Sequence, residues 1–299
     1  MIILLEHINF KIPFASGQRI VRDFFVDALG CPECPAGRMF VAVPGGALPV
    51  GTQKQMHVNL GLSQLHFEWC TGNGHPYATA QQFPGEIHIA VDSLADMQKR
   101  LTAKGHAFTR AVDDCIRFTC PFGSTWIASQ ASAVALAKVA AAAPVREGGV
   151  GHVVALTKVD FSIRPGIKDG VARFYKEAFD TWATATPEGC AVRTLADQVI
   201  AFTERADAPP PDAYESMGSK HGVHICLYVS DFEQQSRRNE SRFWMNPDYV
   251  GPPINDHVSD SKEALERCQF RLKNVGPRFV LEHEVRGLGH KLAPNVSFL

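Results

Sequence analysis

Polar and apolar residues alternate with a period of two in four separate stretches of the chain. Ile8, Phe10 and Ile12 oppose His7, Asn9 and Lys11; Ile87, Ile89 and Val91 oppose Glu86, His88 and Ala90. Val159, Phe161 and Ile163 oppose Lys158, Asp160 and Ser162; Ile225, Leu227 and Val229 oppose His224, Cys226 and Tyr228. Successive side chains of a strand point to opposite faces, so each stretch predicts a strand with one face in a core and one polar face.

A helical stripe follows each strand. Ile20, Val21, Phe24, Phe25 and Ala28 share one helix face and meet a stop at Gly30; Leu94, Met97 and Leu101 do so before Gly105. Val171, Phe174, Tyr175 and Ala178 form the third stripe, and a weakly apolar one begins at Phe232. Two or three short strand candidates come next, as at Met39–Val43, Met56–Leu60 and Gln64–Trp69 in the first copy. The chain therefore reads as four copies of one β-α-β-β-β module, an α+β protein. The modules are expected at about 2–70, 84–130, 153–206 and 220–288. Taken in chain order they pair into a first domain over 1–131 and a second over 151–299. An Ala- and Gly-rich linker, helical in its Ala-rich part, joins them over 132–150. Each helix covers the apolar face of its sheet, which leaves a polar face carrying His7, Glu86, Lys158 and His224 to line a cavity.

Composition narrows the function classes. The 30 basic and 31 acidic side chains leave a formal charge of −1, so no basic excess exists to neutralise a phosphate backbone. No apolar run is long enough to span a bilayer, and the start of the chain has no basic region followed by a signal core. A cytoplasmic or organelle-matrix location is expected rather than secretion. The eight cysteines are sparse for a disulfide scaffold and read as reduced. Cys31 and Cys34 have zinc or redox spacing, but the remaining pair Cys115 and Cys120 lacks the spacing of a zinc ribbon. No phosphate loop, dinucleotide fingerprint or nucleophile elbow occurs.

The segments Leu5–Phe10, Gly85–Asp92 with its helix and Gly105, and His224–Asp231 resemble the vicinal oxygen chelate superfamily, which includes glyoxalase I, extradiol dioxygenases and bleomycin-resistance proteins. Gly61–His66 and Val280–Arg286 look like a tandem-domain branch of it. The resemblance covers nearly the whole chain. It implies cupped mixed sheets around a divalent metal (Fe, Mn, Zn or Ni) that chelates adjacent oxygens of a small molecule. Its ligands come from the first and last strands of each module. Carried over position by position, it marks His7, Glu86 and His224 on first strands and Glu282, Glu204 and His66 on last strands. Lys158 holds the remaining first-strand position, where an ammonium cannot ligate. The strand at Thr125–Ala128 offers no carboxylate, a departure from glyoxalase I.

Two ligand sets follow. Glu204, His224 and Glu282 suit a hard or borderline divalent metal; alternatively Lys158 pairs with one of these glutamates and fills the former metal site. His7, His66 and Glu86 form a two-His-one-carboxylate set. His283 should face away from Glu282 by alternation. Arg286 and His290 lie where they could clamp an anionic substrate, with surface charge as the alternative. The resemblance implies a metal-dependent isomerase, lyase or dioxygenase acting on an oxygen-rich or aromatic molecule, with Glu204 or Glu282 moving the proton. A non-catalytic protein that sequesters a small molecule, and a degenerate domain scaffolding an active one, stay open, as does a homodimer.

Overall fold

The structure, a computed structural model, describes residues 1–42, 44–111, 114–142, 147–214, 219–246, 258–276 and 279–290. The first module forms β1 (Ile2–Lys11), α1 (Phe14–Val21), a π-helical continuation over Arg22–Ala28, and then β2 (Glu33–Phe40), β3 (Gln53–Leu60) and β4 (Ser63–Glu68). The second forms β5 (Gly85–Val91), α2 (Leu94–Ala103), β6 (Phe108–Arg110), β7 (Ile116–Thr119) and β8 (Thr125–Gln130). The Ala-rich stretch is helix α3 (Ala133–Ala142), as its composition predicts. The third module forms β9 (Val153–Ile163), α4 (Lys168–Phe179), β10 (Ala183–Ala185), β11 (Gly189–Arg193) and β12 (Val199–Glu204). The fourth forms β13 (His224–Val229), α5 (Phe232–Asn239), α6 (Ser261–Arg267), β14 (Gln269–Gly276) and β15 (Phe279–Gly287).

All four alternating stretches are strands and all four stripes are helices. The strand expected at Met39–Val43 lies earlier, at Glu33–Phe40, and includes Pro35. A proline cannot donate to a ladder, and β2 accepts it because it is the last strand of its sheet. The weakly apolar α5 is held by polar packing instead: the buried Asn239 donates to Ala178 O at 2.8 Å and to Gln235 O at 2.9 Å.

The strands form two mixed sheets, seven-stranded in the order β14-β15-β13-β1-β4-β3-β2 and eight-stranded in the order β10-β11-β12-β9-β5-β8-β7-β6. Strands of the first and fourth modules thus share one sheet, and those of the second and third share the other. Two compact units are distinguished, Met1–Asn9 with Asp160–Ala293, and Phe10–Val159.

Within the first unit, β1 runs antiparallel to β13, β13 parallel to β15, and β15 antiparallel to β14. On the apolar side of this ladder stand Ile8, Ile225, Leu227, Leu272 and Val285, all buried. His283 joins them, as alternation required: its Nε2 meets the Tyr175 hydroxyl of α4 at 2.7 Å and its Nδ1 meets Leu281 O at 2.8 Å. The register brings the other side together in rows. His224 is opposite Glu282, Cys226 is opposite both His7 and Glu284, and Arg271 lies beyond Glu284. Tyr228, Arg286 and Gln269 make the next row. Between Leu5 and His7 the ladder slips by one residue, so Glu6 is a bulge. A bulge places two residues against one and re-aims their side chains, which brings Glu6 to His7 against the period-two rule.

Candidate metal centre

Two imidazoles and a carboxylate converge on the polar side of β1, β13 and β15. His7 Nε2 and His224 Nε2 are 3.4 Å apart, and Glu284 Oε2 lies 3.8 Å from the first and 3.6 Å from the second. All three residues are buried. A point in their plane is about 2.1 Å from each donor atom, the ordinary metal–imidazole distance. The outer nitrogens face carboxylates. His7 Nδ1 is 2.5 Å from Glu6 Oε2, and His224 Nδ1 is 3.9 Å from Glu282 Oε1. With an Nδ1 proton donated to the Glu6 carboxylate, the Nε2 lone pair of His7 is turned inward. A carboxylate behind a ligating histidine is the usual way such a ring is oriented and made more basic. The donor set therefore fits a divalent cation, and the cluster can hold one.

Two arginines share this face. Arg271 Nη1 donates to Glu282 Oε1 and its Nη2 donates to Glu284 Oε2 at 2.9 Å. Arg286 Nη2 pairs with Glu284 Oε1, and its Nε donates to Gln269 Oε1 at 3.2 Å. Asn246 Nδ2 donates to both oxygens of Glu282, at 3.1 and 3.3 Å. Burial by itself would raise the Glu284 pKa, but Arg286, Arg271, His7 and His224 outweigh it and hold the carboxyl well below its usual range. Burial would lower the Arg286 pKa; Glu284 in the first place reverses that and raises it. Burial pushes the Cys226 thiol well up, so it faces the site protonated.

Of the residues marked in the sequence, His7, His224, Glu282 and Arg286 meet on this face. Glu204 accepts the backbone N–H groups of Ile167 at 2.9 Å and Lys168 at 3.1 Å, capping the start of α4. Its strand ends beside a helix entry whose unpaired donors need an acceptor. Glu86 pairs with Arg117 at 2.8 Å and lies 3.5 Å from His88, on a partly exposed surface. His66 stacks on the cross-strand His57, ring centres 3.3 Å apart, with its Nε2 at 3.1 Å from Gln64 Oε1. Of the expected set of His7, His66 and Glu86, the glutamate is engaged on its own surface. Lys158 is half-buried on β9, in the eight-stranded sheet. The charge neutralisation expected of it at Glu282 is supplied by Arg271. His290 sits in the turn after β15, its backbone N–H donating to Gly287 O at 3.0 Å. The cysteines are free, and burial raises the Cys31 thiol pKa, which agrees with the reduced reading.

Glu6, Asn246, Arg271 and Glu284 were missed. Glu284 was legible, since it is two residues from Glu282 and alternation puts both on one face. Arg271 was legible only with the β14–β15 register. Glu6 was hidden by the bulge.

The chain has the vicinal oxygen chelate fold, the class that includes glyoxalase I. Glyoxalase I from Zea mays superposes with a TM-score of 0.56 over 96% of this chain and 92% of that one, at 11% identity. A protein of Bacillus subtilis, described provisionally as a dioxygenase, superposes at 0.55 over 98% and 87%, at 12% identity. Identities this low establish the fold and leave the chemistry to the site. No family model and no curated protein matches the sequence. Among the described residues, no helix is long and apolar enough to cross a membrane.

Proposed function

We propose that this chain is a divalent-metal-dependent enzyme of the vicinal oxygen chelate type, an isomerase, lyase or dioxygenase acting on a small oxygen-bearing molecule. The observation that carries it is the buried triangle of His7 Nε2, His224 Nε2 and Glu284 Oε2. Two imidazoles and one carboxylate suit Fe, Mn, Zn or Ni and leave positions open for substrate. When bound, the metal supplies Lewis-acid polarisation of adjacent substrate oxygens. Glu6 orients the His7 imidazole, and the Glu282 carboxylate stands beside that of His224. Arg271 holds Glu282 and Glu284 side by side, and Glu282, outside the ligand triangle, would move the proton.

Metal analysis of protein purified without chelator tests this reading. Near-stoichiometric metal is expected in the wild type, with loss in His7→Ala and His224→Ala. Added Mn(II) or Zn(II) should raise the wild-type melting temperature, since ligand at a hundredfold excess over Kd stabilises by about 2.7 kcal/mol. Full metal retention by both alanine variants would overturn the assignment.

One observation favours a second reading. Arg271 and Arg286 already neutralise Glu282 and Glu284, so the face is electrostatically tolerable without a cation, as in a protein that only sequesters its ligand. Metal-free protein that gains no stability from any of the four metals would select it.

A further inference from the structure

A cavity of about 330 Å³ lies within the Asp160–Ala293 part of the first unit, on the helix side of the seven-stranded sheet. One wall is α4, whose residues 170, 173, 174 and 177 share a helix face by their spacing. The others are the 3-10 turn Glu240–Arg242 after α5 and the end of the edge strand β14 at 274–276. Gly170 and Gly276 meet where helix and strand come closest: a Cβ on Gly276 would stand 3.4 Å from the Gly170 carbonyl carbon. Neither residue has a side chain to fill the space beside that approach. The volume falls within the usual range of small-molecule sites.

The polar lining is rich in donors. The side chains of Arg173, Ser241 and Asn274 have no hydrogen-bond partner among the described residues. Arg242 Nη2 donates to Glu177 Oε2 at 2.8 Å, so these two charges offset each other. Arg173 is left as the uncompensated charge, and the cavity carries one net positive charge. Phe174 and Val275 form its apolar floor. A guanidinium fork matches the two oxygens of a carboxylate or a phosphate. One net charge is met by a monoanion, whereas a dianion brings a surplus, and the apolar floor suits a hydrocarbon or aromatic body.

We propose that this cavity binds a small monocarboxylic acid with an apolar body, its carboxylate on Arg173 and within reach of the Ser241 and Asn274 donors. The site lies behind the metal face. The Phe174 ring is 5.5 Å from that of His283, the core-side residue of β15 between Glu282 and Glu284. It is separate from the metal triangle and does not depend on the metal reading.

Calorimetric titration of the full-length protein with benzoate tests it, with neutral benzamide and inorganic phosphate as comparisons. Benzoate should bind saturably and more tightly than either. Arg173→Gln should weaken benzoate about tenfold, equivalent to about 1.4 kcal/mol, and leave benzamide unchanged. Arg173 is exposed and unpartnered, so the melting temperature of this variant should match the wild type. Glu177→Gln removes the only carboxylate among the lining residues and should tighten benzoate severalfold. No saturable binding of benzoate, equal affinity in Arg173→Gln and wild type, or weaker binding in Glu177→Gln overturns the proposal. Tighter binding of phosphate than of benzoate overturns the monocarboxylate class. Benzoate binding that requires Mn(II) would put the acid on the metal face and overturn the separate site. If Mn(II) does not bind and benzoate does so through Arg173, the metal reading falls and this site stands.

Discussion

Glu282 and Glu204 carry the same signature in the sequence, a glutamate on the last strand of a module, and the fold gives them different work. Glu282 lies in a buried face with Arg271, Asn246 and His224 around it. Glu204, half-buried, faces the entry of α4 and accepts two of its unpaired N–H groups. Position along a strand fixes which side a side chain takes, but neighbouring strands and helices decide what it meets. A carboxylate surrounded by fixed guanidiniums and imidazoles becomes part of a charge network, whereas one at a helix start becomes a cap.

The contrast is sharpest if the network is cut. Arg271→Met removes one cation from two carboxylates, and Arg271 is only 2% exposed. Breaking a buried pair typically costs about 3–5 kcal/mol, so urea unfolding at neutral pH should show a loss of that order. Arg117→Met, at the partly exposed pair with Glu86, should cost under about 1 kcal/mol in the same assay. Equal losses would show that burial does not separate the two kinds of glutamate.

Acidification probes both sides of the β13–β15 ladder in different windows. Burial drives the His283 pKa down from 6.5 to about 4. The unfolded chain therefore takes up this proton more readily, and the stabilisation is fully present above pH 6.5 and lost as pH falls toward 4. The shift amounts to about 3 kcal/mol. Glu284, whose pKa is also depressed, contributes stability that is lost only as pH falls below its ordinary value of 4.5. Stability measured by urea unfolding should fall between pH 6.5 and 4 in the wild type and much less in His283→Gln. Glu284→Gln should keep that fall and lose the steeper one below it. A wild-type curve flat down to pH 4.5 would count against the buried neutral imidazole.

The smallest effect belongs to Glu204. Replacement by alanine removes a helix cap, worth about 1 kcal/mol, and should leave metal content unchanged. Metal loss in Glu204→Ala would return this glutamate to the ligand set.

Local pattern was enough for much of this protein. Alternation at His7, Glu86, Lys158 and His224 gave four strands and their faces, and stripes such as Val171, Phe174, Tyr175 and Ala178 gave the helices, because both periods are properties of a single segment. It also put His283 on the core side and His224 and Glu282 on the polar side. What one segment cannot contain is its neighbour. That β1 pairs with β13, that Arg271 reaches Glu282 and Glu284, and that Glu204 meets a helix start are facts of register and packing between distant parts of the chain. The bulge at Glu6 is the clearest case: the period-two rule sends this side chain to the core, and only a one-residue slip in the ladder with Cys226 and Leu227 turns it to His7.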